Sequence, residues 1–124
     1  MLKRKKSFIG IGLALIAGAT LTGCGSAPVQ TVAVGTDTVV VDVRTPAEYA
    51  EGHLDGAVNL DIQSADFAAQ AAELDPEADY VLYCRSGNRA AAAQDYLADL
   101  GFADVENVGS LREAADATGL EIVS

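Results

Sequence analysis

Apolar positions along the 124-residue chain come in short runs split by turn residues, which suits alternating strands and helices better than one long helix. Val39–Val41 is β-branched and does not alternate, the pattern of a strand covered on both faces of a parallel sheet. Tyr80–Tyr83, Ala57–Leu60 and Val105–Val108 predict further strands, and Thr31–Val34 a brief first one before the Gly35–Thr38 turn. Thr45-Pro46-Ala47-Glu48 combines an N-cap, a proline at the first helical position and a glutamate at the third, so a capped helix should start there and end at Gly52. His53–Gly56 reads as a turn. Ser64 can cap a helix to about Leu74, with Phe67, Ala71 and Leu74 on one face, before Asp75-Pro76-Glu77 breaks it. Ala90–Leu100 predicts a helix with Ala93, Tyr96, Leu97 and Leu100 turned inward and Gly101 as its C-terminal cap. Ser110 opens a last helix to about Thr118, closed by Gly119, and Leu120–Val123 docks or frays beyond it. The order implies an α/β fold with a mainly parallel sheet. Asp42 and Cys84 each follow an apolar run, so parallel strands would bring both to the carboxyl edge, where ligands bind in such sheets.

The N-terminal residues follow a different rule. Lys3, Arg4, Lys5 and Lys6 precede an uncharged apolar run, Phe8–Ala19, which is too short for the roughly 20 residues a spanning helix needs. This is the layout of an export signal. Its end, Leu21-Thr22-Gly23-Cys24, resembles the lipobox of bacterial lipoproteins, in which the cysteine is lipidated and becomes the new N-terminus. The expected organisation is therefore a signal peptide over 1–23, a short tether over 24–30 and one domain over 31–124. The domain would be extracytoplasmic and held on a bacterial membrane through lipid on Cys24.

Processing at Cys24 changes the charge. Only Arg44, Arg85, Arg89 and Arg112 remain against all 18 acidic residues, a net 4 − 18 = −14. Such a body repels nucleic acid and anionic lipid, which excludes a nucleic-acid function. With Cys24 lipidated, Cys84 is the single free thiol, and an odd thiol in an exported protein points to reactivity. One histidine and one free cysteine are too few for a metal site, and no cofactor is implied.

Cys84 ends a strand and is followed by Arg85-Ser86-Gly87-Asn88-Arg89 and an alanine-rich helix. A strand, a tight loop and a helix start aim several backbone N–H groups and the positive helix end at one point. Thiolates are favoured beside arginines and helix N-termini, so Cys84 is the candidate nucleophile. Three stretches, Val41–Tyr49, Gly52–Leu60 and Tyr83–Arg89, together resemble a single-domain rhodanese, a thiosulfate sulfurtransferase-like protein, in order and spacing. The resemblance covers roughly residues 39–108. It implies a central mainly parallel sheet flanked by helices on both faces; a monomer is expected. The segment between Val34 and Val39 is too short for the helix that usually separates the first strands, so that helix is expected to be deleted. The turn after Val108 also departs from the family, reading Gly109-Ser110-Leu111-Arg112-Glu113.

The implied chemistry is sulfur transfer. Cys84 takes the outer sulfur of thiosulfate or a persulfide and passes it to cyanide or a thiol. Arg85, Ser86, Gly87, Asn88 and Arg89 are the expected substrate-binding residues, with Gly87 and Asn88 suited to positive φ. Asp42 is expected to support the loop as the counter-ion of Arg89, and Arg44 with Glu48, four apart around a helix start, to form a structural pair. His53 is expected to be a fold-signature residue rather than a general base. Two other readings share the fold: a lipid-anchored sulfur-sensing or binding module with little turnover, and a cysteine phosphatase or arsenate reductase. Four residues separate Cys84 from Arg89, one fewer than in the loop of related cysteine phosphatases, which suits a persulfide sulfur better than phosphate.

Overall fold

The computed structural model describes residues 31–124. The expected signal peptide, tether and lipidated Cys24 lie outside the described residues. The elements in chain order are β1 (Thr38–Asp42), α1 (Pro46–Glu51), β2 (His53–Leu54), β3 (Val58–Asn59), α2 (Phe67–Ala72), β4 (Asp79–Cys84), α3 (Asn88–Asp99), β5 (Asp104–Ser110), α4 (Leu111–Thr118) and β6 (Ile122–Val123). β3, β1, β4 and β5 form the main sheet in that order, and every pairing in it is parallel. β2 and β6 make a small antiparallel ribbon at its side, so Leu120–Val123 docks rather than frays.

Side chains alternate between two apolar layers, as a strand's period of two requires. Val41, Val43, Tyr80, Leu82 and Cys84 face one layer, completed by Phe67 and Ala71 of α2 and by Ala90, Ala93 and Leu97 of α3. Val40, Val81 and Tyr83 face the other, with Leu54, Val108 and Ala114 and Ala117 of α4. Helices therefore cover both faces, and the central strands β1 and β4 read as continuous apolar runs because they serve two layers at once.

Four local expectations are corrected. Thr31–Val34 forms no strand: the Val32 N–H donates to the Ala117 carbonyl at 2.9 Å, and Val32 and Val34 pack on the second layer. β1 already has β3 and β4 as neighbours, which leaves no place beside it. Residues 35–37 hold only a turn, so no helix precedes β1 among the described residues. Ser64 does not cap α2. Its hydroxyl accepts from the Asp66 N–H at 3.1 Å in a preceding turn, and the helix begins at Phe67. Leu100 points outward, 48 % exposed, because the chain reverses at Gly101 and the inward place goes to Phe102, whose N–H donates to the Leu97 carbonyl at 3.1 Å. His53–Leu54, expected to be part of a turn, is paired with β6, and the turn begins only at Asp55.

The capping box expected at the start of α1 forms between Thr45 and Glu48, and Ser110 opens α4 as expected, there in a second capping box with Glu113.

Candidate active site

β1 and β4 run parallel with Asp42 opposite Tyr83, so Asp42 and Cys84 do reach the same edge of the sheet. Their side chains leave it on opposite faces. Asp42 shares a face with Tyr83, whereas Cys84 belongs to the layer under α3. The expected Asp42–Arg89 ion pair is therefore absent, and the Arg44–Glu48 pair with it. The partners are exchanged. Arg44 folds back onto Asp42, donating from Nε to both carboxylate oxygens at 3.0 Å and from an Nη at 2.7 Å. Arg89 donates through both Nη atoms to Glu48, at 2.8 and 3.0 Å. Asp42 and Cys84 share one edge, but strand alternation decides which partners each meets.

The Asp42–Arg44 pair is a buried structural unit. The same Arg44 Nη also donates to the Gly52 carbonyl, which ties the end of α1 to β1. The Arg44 guanidinium lies 5.7 Å from the Tyr83 ring centre. Burial disfavours the Arg44 charge, but the hydrogen bonds and charge of Asp42 outweigh this and hold its pKa above the ordinary value. Burial likewise raises the Tyr83 hydroxyl, which accepts from the Leu54 N–H at 3.0 Å. Asn59 closes the unit by donating to the Asp42 and Arg44 carbonyls at 3.1 and 2.9 Å.

Around Cys84 the geometry is that of a cradle. The thiol is fully buried, and the Gly87 N–H donates to its Sγ at 2.9 Å. Gly87 has φ +91°, which carries the chain back over the sulfur, and a Cβ there would stand 3.3 Å from the Gly109 Cα. The positive φ calls for glycine, and the close approach leaves a Cβ little room. Asn88 has a negative φ and starts α3, so the positive-φ expectation holds for Gly87 alone. Arg85, Ser86 and Asn88 are exposed around the loop, and Arg85 makes no ion pair among the described residues.

Arg89 serves as the strut of the loop. Its guanidinium joins the first turn of α3 to Glu48, the same carboxylate that accepts from the Thr45 N–H at 3.0 Å in the α1 cap. The Arg89 hydrogen bonds are the main reason why Glu48 is pushed down to about 2, and Arg89 is raised in turn.

Two features of the site carry no sequence signal. Asn107 in β5 donates to the Gly87 carbonyl at 3.0 Å and accepts from the Gly109 N–H at 2.9 Å, stapling the loop to the neighbouring strand. The pairing of β4 with β5 shifts register between Leu82 and Cys84, an irregularity next to the thiol. His53 stacks on Tyr49 at 3.7 Å between ring centres, and the Tyr49 carbonyl accepts from its Nδ1 at 2.8 Å. This matches the structural role expected of it. An apolar cavity of about 260 Å³ between Leu74, Pro76, Leu100 and Phe102 lies at the opposite end of β4 and presents no reactive group.

The profile of the rhodanese-like domain matches residues 30–114, a span that contains this buried thiol, the strand before it and the helix after it. The chain belongs to the rhodanese-like family. It is 36 % identical over 95 residues to a sulfurtransferase of Allochromatium vinosum, covering 77 % of this chain and 87 % of that one. It is 31 % identical over 75 residues to the thiosulfate sulfurtransferase PspE of Escherichia coli, covering 60 % and 72 %. The thiosulfate sulfurtransferase GlpE of Pseudomonas entomophila is 42 % identical over 71 residues, and there the match spans only 62 % of the relative's length. Among solved structures, a rhodanese with anions from E. coli superposes with a TM-score of 0.59 at 26 % identity, over 70 % of this chain and 98 % of that one. The Alr3790 protein from Anabaena sp. gives 0.62 at 27 %, over 73 % and 80 %. The rhodanese-like fold thus accounts for the sheet order and for the loop at its carboxyl edge.

Proposed function

We propose that this rhodanese-like protein is a sulfurtransferase that carries a sulfane sulfur on Cys84. The observation that supports it best is the Gly87 N–H directed at Cys84 Sγ, 2.9 Å away, inside a loop whose next turn is a helix start. In the proposed cycle the Cys84 thiolate attacks the outer sulfur of thiosulfate or a persulfide. The Cys84–sulfur bond forms as the donor S–S bond breaks, and sulfite or a thiolate leaves. Cyanide or an acceptor thiol then attacks the outer sulfur of the Cys84 persulfide and releases the Cys84 thiolate. Loop N–H groups and the N-terminus of α3 stabilise the negative charge on sulfur at each stage. Arg85 is the residue placed to meet an incoming anion, and Arg89, held by Glu48, keeps the loop in shape.

The test is thiocyanate formation from cyanide and a sulfane donor. Turnover that disappears in Cys84→Ser supports transfer. Sulfur uptake without turnover would favour a sensing or binding module. Hydrolysis of an aryl phosphate dependent on Cys84 would instead favour a phosphatase.

The same proposal places the protein outside the cytoplasm, anchored by lipid on Cys24, as the basic, apolar and Leu-Thr-Gly-Cys succession of residues 3–24 supports. Cys24→Ser should release the protein from membranes; continued attachment would overturn the anchoring.

A further inference from the structure

The charges around the loop bear on which donor it takes, an inference that rests on the sulfur-transfer reading above. All four arginines of the described domain stand at the carboxyl edge of the sheet: Arg44 just beyond β1, Arg85 and Arg89 around the end of β4, and Arg112 in the first turn of α4. They do not make this edge cationic. Arg44 is neutralised by Asp42 and Arg89 by Glu48, each at salt-bridge distance. The Asp61 carboxylate also acts on the Arg89 guanidinium. Glu113 follows Arg112 directly and lies over Gly109, where a Cβ would come within 2.9 Å of its carboxylate; Gly109 in turn abuts Gly87 of the loop. Two of the four arginines are thus held in ion pairs, and Asp61 and Glu113 add two further carboxylates near the same edge. The domain as a whole carries a net 4 − 18 = −14.

A dianion gains nothing from such a mouth beyond Arg85 and the backbone donors, and it approaches a thiolate through the field of a strongly acidic body. Attack of the Cys84 thiolate on thiosulfate gathers three negative charges at one point before sulfite leaves. Attack on the outer sulfur of a protonated organic persulfide gathers one: the Cys84–sulfur bond forms, the donor S–S bond breaks, and the departing thiolate carries the electron pair. With an ionised persulfide the total is two. We infer that the donor of this protein is an organic persulfide with an uncharged tail, in preference to thiosulfate.

The experiment measures kcat/KM of the purified protein for thiosulfate and for the persulfide of 2-mercaptoethanol, with cyanide as acceptor, as salt is raised. Between roughly 0.01 and 0.15 M salt the screening length falls from about 30 to about 8 Å. The thiosulfate value should rise several-fold over this range and the persulfide value by less than twofold, with the persulfide the better donor at the low end. Asp61→Asn and Glu113→Gln should each raise the thiosulfate value at low salt and leave the persulfide value nearly unchanged. A thiosulfate value that is the higher of the two at low salt and falls as salt is added overturns the inference while leaving sulfur transfer intact. Transfer from neither donor overturns both.

Discussion

At the scale of single residues, the domain depends on two arginine–carboxylate pairs with different duties. Asp42 and Arg44 are buried together, and removing one partner strands the other charge away from water. Asp42→Ala should therefore cost about 3–5 kcal/mol in stability. Denaturant unfolding would measure it, and a loss below about 1 kcal/mol would show that the pair contributes little. Glu48 and Arg89 are partly exposed and hold the loop. Glu48 is lowered from its ordinary 4.5 to about 2, so its contribution is complete above pH 4.5 and disappears as pH falls toward 2. Glu48→Gln should remove that part of the acid limb of the stability profile. An unchanged limb would mean that the pair does not contribute to folding. Both pairs join residue types that the sequence displays openly, yet their pairing was not legible in it. Spacing along the chain favours Arg44 with Glu48, whereas alternation puts Asp42 on the face away from Cys84 and returns it to Arg44. Cys84, Gly87 and Arg89 were legible because the loop between one strand and the next helix is a local feature. Asn107 was not, since its partner Gly87 lies twenty residues away and only the pairing of β4 with β5 brings them together.

At the scale of elements, the β4–loop–α3 unit is the working part and the capped helices around it are supports. Local grammar predicted them well: the Thr45–Glu48 capping box forms, Ser110 caps α4, and Gly101 and Gly119 end their helices at positive φ. It failed where tertiary context competes with propensity. Thr31–Val34 has strand composition but finds no edge to pair with, and Ser64 has cap chemistry but sits in a turn of its own. The loop itself allows little variation. Gly87→Ala adds a strain of roughly 1–2 kcal/mol at positive φ and a close approach to Gly109. It should reduce sulfur loading of Cys84 at least tenfold while the far-UV circular dichroism stays native. Normal loading in this variant would mean that the N–H held over Sγ is not what makes the thiol reactive.

For the molecule as a whole, the charge of −14 over residues 31–124 is the dominant long-range property. Self-repulsion opposes the compact state and is relieved by screening. The melting temperature should therefore rise as salt goes from about 10 mM to about 150 mM, and a flat or falling curve would show that local pairs outweigh the global field. Among the described residues no helix is long and apolar enough to cross a membrane. Attachment, as proposed, thus falls to the residues before them and is tested by fractionation of Cys24→Ser.

Everything functional in this account passes through one sulfur atom, and its mass can be read directly. The purified protein, exposed to a sulfane donor and freed of excess reagent, should gain the mass of one sulfur atom located on Cys84. Cyanide should remove it, and Cys84→Ser should never acquire it. A protein that gains no sulfur from any donor, or a gain that persists in Cys84→Ser, would contradict the account at its centre.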